Sequence, residues 1–151
     1  QMCIIDRIKD INSMDINFSI KDLTLKKPFL VNIGNPHIIF FDDEIEKYDV
    51  ESFGSLIEND NLFPEKINVS FAKLKSDNHI VLNVWERGAG KTNACGTAAC
   101  ATAVAGVEMG LIKNKVTVTL PGGDLEIYYK SSDNIIMTGP TEINFTDKYK
   151  L

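Results

Sequence analysis

The sequence is poor in the features that mark several common classes of protein. It has three cysteines, an odd number that does not fit a closed disulfide framework. Its 16 basic residues are scattered and outnumbered by 21 acidic ones, which argues against a nucleic-acid partner. It lacks a run of about eighteen apolar residues, as a membrane helix would need. We therefore expect a cytoplasmic protein with reduced thiols and no membrane or nucleic-acid partner.

Short strands are predicted along most of the chain. Alternating or continuous apolar runs are bounded by turn residues such as Gly34-Asn35-Pro36 and Pro121-Gly122-Gly123-Asp124. The predicted strands are 28–33, 37–41, 66–74, 79–86, 116–120, 125–129, 134–138 and 141–145. A surface helix is predicted at 49–59, with Asp49 as its cap and Phe53, Leu56 and Ile57 on one face.

A second helix, predicted from about Gly96 to Met109 and ended by Gly110, has an unusual composition. No charged residue occurs between Lys91 and Glu108, and most side chains in the helix are very small. A helix that is apolar on all sides is buried on all sides. The fold class predicted is α+β: one domain over 1–151, mostly antiparallel sheet curled around this central helix, plus the surface helix.

The start of a buried helix leaves about four backbone N–H groups without intrahelical partners. Asn93 or Thr97 could cap some of them. The glycine-rich segment "GAGKTNACGT" could instead leave backbone N–H groups exposed to an anionic group of a ligand, as anion-binding loops do. Both interpretations stay open at this point.

Cys95 lies at the entrance of this helix. The positive end of a helix stabilises a thiolate, which could serve as a nucleophile or general base. The alternative is a small buried hydrophobic residue, as most unpaired cysteines are. Cys100 lies about 140° further around the helix axis, so the two cysteines do not share a face. We interpret Cys100 as core packing and predict no metal site.

Five polar residues elsewhere fit a small-molecule site. Asn35 and His37 lie at a strand–turn–strand junction, Asn68 interrupts an apolar strand, and Glu86 and Arg87 end a strand. Each has an ordinary structural interpretation as a turn residue, a buried histidine or a surface pair. Spacing alone does not bring them together.

Several motifs, in the same order, resemble those of the diaminopimelate epimerase family. The most specific are "ERGAGKTNACGTAAC" (86–100), "NIGNPHIIFFDD" (32–43) and "LFPEKINVSFAKL" (62–74), and "LPGGDLEI" and "MTGP" follow. The resemblance extends from about residue 28 to the end. It implies a cofactor-independent enzyme of two similar lobes, each wrapping strands around a central helix.

The resemblance also implies a reaction, the epimerisation of LL-2,6-diaminopimelate to the meso isomer in lysine and peptidoglycan biosynthesis. One cysteine thiolate removes the α-proton and a second cysteine thiol protonates the opposite face. The substrate occupies the cleft between lobes, with a carboxylate near the helix N-termini. Cys95 would be one catalytic cysteine. The implied substrate-binding residues are Asn35, Asn68, Glu86, Arg87, Gly96 and Thr97, and His37 and Glu86 would tune the cysteine pKa values.

Two departures from the family pattern bear on these expectations. Ala98 stands where a glycine is usual, which we expect to matter little. The family has about twice this length, and its first cysteine lies in an N-terminal lobe, whose motif does not surround Cys3. We expect the chain to be the C-terminal lobe only, inactive without the missing N-terminal lobe, with a homodimer as a further option.

Two alternatives remain. The chain could belong to a related two-lobe racemase or isomerase acting on another amino acid, such as a proline racemase-like or phenazine-synthesis-type enzyme. It could also be a carboxylate-binding lobe without catalysis.

Overall fold

The computed structural model describes residues 2–5, 10–13, 15–131 and 134–141, with side chains in the last two ranges. Two α-helices are present in this part of the chain, α1 (Val50–Glu58) and α2 (Gly96–Glu108), with a short 3₁₀ turn at Ile45–Lys47. The strands are β1 (Met2–Ile5), β2 (Asp10–Ser13), β3 (Asn17–Ile20), β4 (Leu23–Lys26), β5 (Phe29–Asn32), β6 (Pro36–Phe41), β7 (Asn68–Ser76), β8 (His79–Glu86), β9 (Gly90–Thr92), β10 (Lys115–Leu120), β11 (Gly123–Tyr128) and β12 (Ile135–Thr138).

Ten strands form one sheet in the order β1-β12-β11-β10-β8-β7-β6-β5-β2, and β9 pairs with the end of β8. Strands β3 and β4 form a separate hairpin. Two pairs, β6–β7 and β8–β10, are parallel, and the other pairs are antiparallel. The Pro121-Gly122 turn makes the β10–β11 hairpin, as predicted. The sheet is therefore mostly antiparallel.

Helix α2 lies inside the curl of this sheet. It contacts β5 and β6 on one arm and β10, β11 and β12 on the other. Every residue from Ala98 to Gly106 is buried. The small side chains allow strands to approach from several directions, which explains the charge-free composition. The predicted fold class is confirmed, with a sheet curled around one central buried helix and a second helix outside.

Helix α1 covers the opposite face of the sheet. Asp49 caps it by accepting a hydrogen bond from the Ser52 N–H (3.0 Å), as predicted. The prediction for Leu56 was wrong, because its side chain is 43% exposed. The buried face instead follows the spacing i, i+3, i+4, i+7, i+8 from Val50 and ends at Glu58. Leu56 falls outside this arc by its position on the helical wheel.

The predicted strands up to residue 138 are present with small shifts at their ends. The strand predicted at 141–145 lies almost entirely outside the described residues. Strands β1 to β4 were not predicted, and neither was β9, whose three residues belong to the glycine-rich segment. The single-domain boundary 1–151 stays a prediction. Neither helix in the described ranges has the length and hydropathy needed to cross a bilayer.

Candidate active site at the start of the central helix

Cys95 is the N-cap residue of α2 and is only 7% exposed. Its sulfur makes no capping hydrogen bond of ordinary geometry to the first turn, although the Ala98 N–H lies near enough to favour the thiolate. Within the described residues, neither Asn93 nor Thr97 supplies a side-chain cap: the Asn93 carbonyl accepts from Gly122 N–H (2.7 Å), and the Thr97 hydroxyl lies 3.5 Å from Cys95 Sγ. Of the two interpretations left open, capping by these two side chains is the one that the described residues do not show. The N–H groups of Gly96 and Thr97 therefore have no side-chain cap among the described residues.

The pKa of the Cys95 thiol is raised above its ordinary value, which corrects our expectation that the helix end would lower it. Burial has the largest effect, because it penalises the charged thiolate. The Thr97 hydroxyl and the Ala98 N–H act in the opposite direction. The Glu86 carboxylate raises the pKa further, both as a hydrogen-bond acceptor and through its negative charge. The protonated thiol is thus the resting form of Cys95.

A line of hydrogen bonds leads from a buried histidine to the sulfur. His37 Nε2 lies 3.0 Å from Asn35 Oδ1, and Asn35 Nδ2 donates to Thr97 Oγ1 at 3.4 Å. Thr97 Oγ1 lies 3.5 Å from Cys95 Sγ. Because the amide N–H occupies an acceptor position of the Thr97 oxygen, the Thr97 hydroxyl proton is available to the sulfur. The donors therefore all point toward Cys95.

His37 is 1% exposed, and its pKa is lowered to about 4. Burial is the main cause, and the positive charge of Arg87 adds to it. The neutral ring carries one N–H, which the Asn35 carbonyl oxygen accepts at Nε2. The other ring nitrogen, Nδ1, is buried without a hydrogen-bond partner among the described residues. This arrangement fixes the tautomer and the orientation of the Asn35 amide.

Asn68 links the start of β6 to the residue that follows β8. The parallel register of β6 and β7 places it beside His37. Its Nδ2 donates to the Pro36 carbonyl (2.9 Å), and its Oδ1 accepts from the Arg87 N–H (2.9 Å). Asn68 is 5% exposed, so both groups of its amide are satisfied inside the protein. Its observed role is to hold the start of β6 against the end of β8.

The segment that follows β8 is a tight hairpin. Glu86 pairs with Gly90 across the turn, and Gly88 and Gly90 have positive φ angles of 77° and 88°. These glycines are required by the backbone of the turn. The alternative of an anion-holding loop does not apply to residues 90–92, because they pair with β8. The turn presents the exposed Arg87, whose Nη1 donates to the Glu65 carbonyl (3.0 Å).

The β10–β11 turn packs against the segment that leads into Cys95, where the Gly122 N–H donates to the Asn93 carbonyl. A Cβ at Gly122 would lie 2.9 Å from the Asn93 carbonyl oxygen, and a Cβ at Gly96 would lie 3.0 Å from Met137 Sδ. The backbone at Gly122 is therefore in close contact with the segment before Cys95, and the backbone at Gly96 is in close contact with β12. These supports were not predicted, because nothing in the spacing connects residue 122 with residue 93.

The structure thus brings the eight predicted site residues to one end of the curled sheet, around the start of α2. Sequence reasoning missed Glu58, which binds the hairpin after β8 from the opposite side. No clear signal in the sequence pointed to it, because Glu58 lies on a buried face of α1 that differs from the predicted one. No group of three or more His, Cys, Asp or Glu side chains in the described ranges could hold a metal ion.

The described residues thus form a mostly antiparallel sheet curled around one buried helix, with a cysteine at the start of that helix. A hydroxyproline epimerase from Agrobacterium vitis shares this fold, with a TM-score of 0.58 over 90% of this chain and 48% of that one, at 11% identity. The profile of the family described as Diaminopimelate epimerase matches residues 29–144. The chain belongs to the diaminopimelate epimerase family.

Curated relatives agree with this assignment. The diaminopimelate epimerase of Erythrobacter litoralis is 52% identical over 121 residues, which cover 80% of this chain and 45% of the relative. That of Methylocella silvestris is 47% identical over 138 residues, covering 90% of this chain and 48% of the relative. The chain therefore spans about half the length of the curated relatives it matches.

Proposed function

We propose that this chain is the C-terminal lobe of a diaminopimelate epimerase and that Cys95 is one of its two proton-transferring groups. The supporting observation is the arrangement at the start of α2. A buried thiol there adjoins a line of donors from His37 through Asn35 and Thr97, next to backbone N–H groups that no side chain caps. Such N–H groups suit a carboxylate whose negative charge increases during the reaction.

The raised pKa of Cys95 supports a role as proton donor in one direction of the reaction. A thiolate from the other lobe would take the α-proton of the substrate, which leaves a carbanion delocalised into the carboxylate. Cys95 would deliver its thiol proton to the opposite face of the same carbon and become a thiolate. The Thr97 hydroxyl then donates to that thiolate, which supports the charge that burial disfavours. In the reverse direction Cys95 is the base.

The distal amino-acid end of diaminopimelate would bind at the hairpin after β8. Arg87 is exposed there, and its guanidinium can pair with a carboxylate through two parallel N–H donors. Glu86 is partly buried beside Cys95 and can accept from an ammonium group. Gly96 and Thr97 would bind the carboxylate next to the reacting carbon through their backbone N–H groups. Asn35 and Asn68 would line the site between these two positions.

The proposal includes a partner for this chain, an N-terminal lobe that carries the second cysteine. A single acid–base group cannot serve both faces of one carbon, so the chain alone should not epimerise its substrate. The reaction needs no cofactor in this scheme, and it belongs to cytoplasmic lysine and peptidoglycan biosynthesis. A homodimer is a further option.

The direct test follows exchange of the α-proton. This chain is combined with the proposed N-terminal lobe, which gives the two-lobe protein used in all experiments below. The two-lobe protein is incubated with LL-diaminopimelate in deuterated water, and deuterium incorporation and meso product are measured by NMR and chiral chromatography. Incorporation at the α-carbon with formation of the meso isomer supports the proposal. If L-proline or trans-4-hydroxy-L-proline exchanges while diaminopimelate does not, the proposed substrate is wrong and the protein acts on another amino acid. Binding of diaminopimelate without exchange identifies a non-catalytic lobe.

A further inference from the structure

Glu58, the last residue of α1, is a carboxylate that none of the proposed steps uses. It is 4% exposed, and such burial of an acidic side chain is uncommon unless it is paired. Its Oε2 accepts from Trp85 Nε1 (2.7 Å), and its Oε1 accepts from the Gly88 N–H (2.9 Å). The Lys66 ammonium lies 3.6 Å from Oε1. Burial alone would raise the pKa of Glu58, but these partners lower it below the ordinary value, so the group is ionised.

The two donors bound by Glu58 flank Arg87 in the chain. Trp85 precedes it on β8 and lies directly against Gly54 of α1, where a Cβ would collide with the indole side chain. Gly88 follows Arg87 and has the left-handed φ that the turn requires. One carboxylate therefore holds the hairpin on both sides of Arg87, from the face of the sheet opposite α2.

The chemistry of the acceptor explains why a glutamate is needed. A carboxylate accepts at both oxygens, whereas the amide of a glutamine accepts at one and carries donors at the other. With glutamine at this position, either the indole N–H or the Gly88 N–H would face an NH₂ group. Charge-assisted bonds of this kind are about twice as strong as neutral ones. The hairpin should therefore loosen even in the closest isosteric variant.

We propose that Glu58 is a positioning residue that fixes the turn from Trp85 to Gly88 and so presents Arg87 to the distal end of the substrate. This inference rests on the proposed function, because it takes Arg87 as the group that binds the distal carboxylate. Glu58 does not touch the substrate. Its removal should weaken substrate binding while the proton transfers at Cys95 continue.

The test compares Glu58→Gln with wild type in the two-lobe protein. KM and kcat for LL-diaminopimelate are measured together with hydrogen exchange of the Gly88 amide. We expect KM to rise roughly tenfold with kcat within about twofold, as the loss of one charged hydrogen bond implies, and the Gly88 amide to exchange faster. Glu58→Asp keeps the charge but is too short to hold both donors, so it should give an intermediate KM. It also serves as the second variant if Glu58→Gln does not fold.

Glu51→Gln is the matched control, since it removes an exposed glutamate from the first turn of the same helix. It should keep the wild-type KM. An unchanged KM in folded Glu58→Gln or Glu58→Asp would overturn the inference while leaving the epimerase proposal intact, as would a loss confined to kcat. If the wild-type protein does not turn over diaminopimelate, the proposed function fails. In that case, hydrogen exchange of the Gly88 amide alone tests whether Glu58 fixes the turn. An exchange rate in Glu58→Gln equal to that of the wild type would show that it does not.

Discussion

The two ends of α2 differ in how completely their backbone groups are satisfied. At the C-terminal end, Gly110 has a φ of 69°, its N–H donates to the Val107 carbonyl (2.9 Å), and the Leu111 N–H donates to the Gly106 carbonyl (2.8 Å). These bonds form a Schellman motif. At the N-terminal end, the Cys95 side chain makes no cap, and the neighbouring polar side chains point toward the sulfur.

The C-terminal end of α2 thus has a structural role, whereas the N-terminal end carries the proposed site. The C-terminal end is complete within this chain and needs no ligand. The N-terminal end holds a buried thiol, and the partly exposed Gly96 and Thr97 have backbone N–H groups with no side-chain cap among the described residues. The proposed function places the substrate carboxylate at the N-terminal end for this reason.

The largest effect on α-proton exchange is expected from replacing Cys95, with Cys100 in the same helix as the control. In the two-lobe protein, Cys95→Ala should lower the rate of α-proton exchange by about 10²–10⁴-fold, the usual contribution of an acid–base group. Cys100→Ala, a completely buried position in the same helix, should keep exchange near wild type while lowering the midpoint of thermal unfolding. Equal loss of exchange in the two variants would contradict the separate roles.

The buried histidine near the N-terminal end should make stability depend on pH. The pKa of His37 is about 4 in the folded protein against 6.5 for the unperturbed group, so the unfolded chain binds the extra proton first. Stability should therefore fall as pH drops from about 6.5 to 4, by up to about 3 kcal/mol. Urea unfolding at several pH values measures this slope. His37→Gln should flatten it, and His79→Gln, the matched histidine control outside the site, should not.

At the C-terminal end, Gly110→Ala should affect stability alone. Alanine is strained at a left-handed φ, which costs about 1–2 kcal/mol. Denaturant unfolding should show this loss, and α-proton exchange at temperatures well below unfolding should match wild type. A large loss of exchange in a folded Gly110→Ala protein would show that the two ends are not independent.

A smaller effect is expected from the Thr97 hydroxyl. Thr97→Val keeps the shape but removes the donor to sulfur, which should raise the pKa of Cys95 further because the thiolate loses a hydrogen bond. Alkylation of Cys95 at neutral pH, followed by mass spectrometry, should slow roughly threefold, as one modest hydrogen bond implies. Thr97→Ser restores the hydroxyl and should restore the rate. Slow alkylation in both variants would assign the effect to packing instead.

The sequence predicted the elements that local patterning controls. Helix α2, its end at Gly110, the Asp49 cap and the hairpin strands all follow from periodicity and turn residues, and the charge-free composition indicated burial. The sequence could not predict the Cys95 pKa, because the helix end and burial act in opposite directions and their balance depends on packing. Glu58 and the contact between Gly122 and Asn93 depend on strands brought together by the fold.

The central claim, that the open end of α2 binds a substrate carboxylate, can be tested by NMR. Backbone amide shifts of the ¹⁵N-labelled two-lobe Cys95→Ala protein are followed during titration with LL-diaminopimelate, so that turnover does not interfere. We predict saturable shifts at Gly96 and Thr97, with Gly110 and Leu111 unchanged. Saturable binding by calorimetry without shifts at Gly96 and Thr97 would contradict the account.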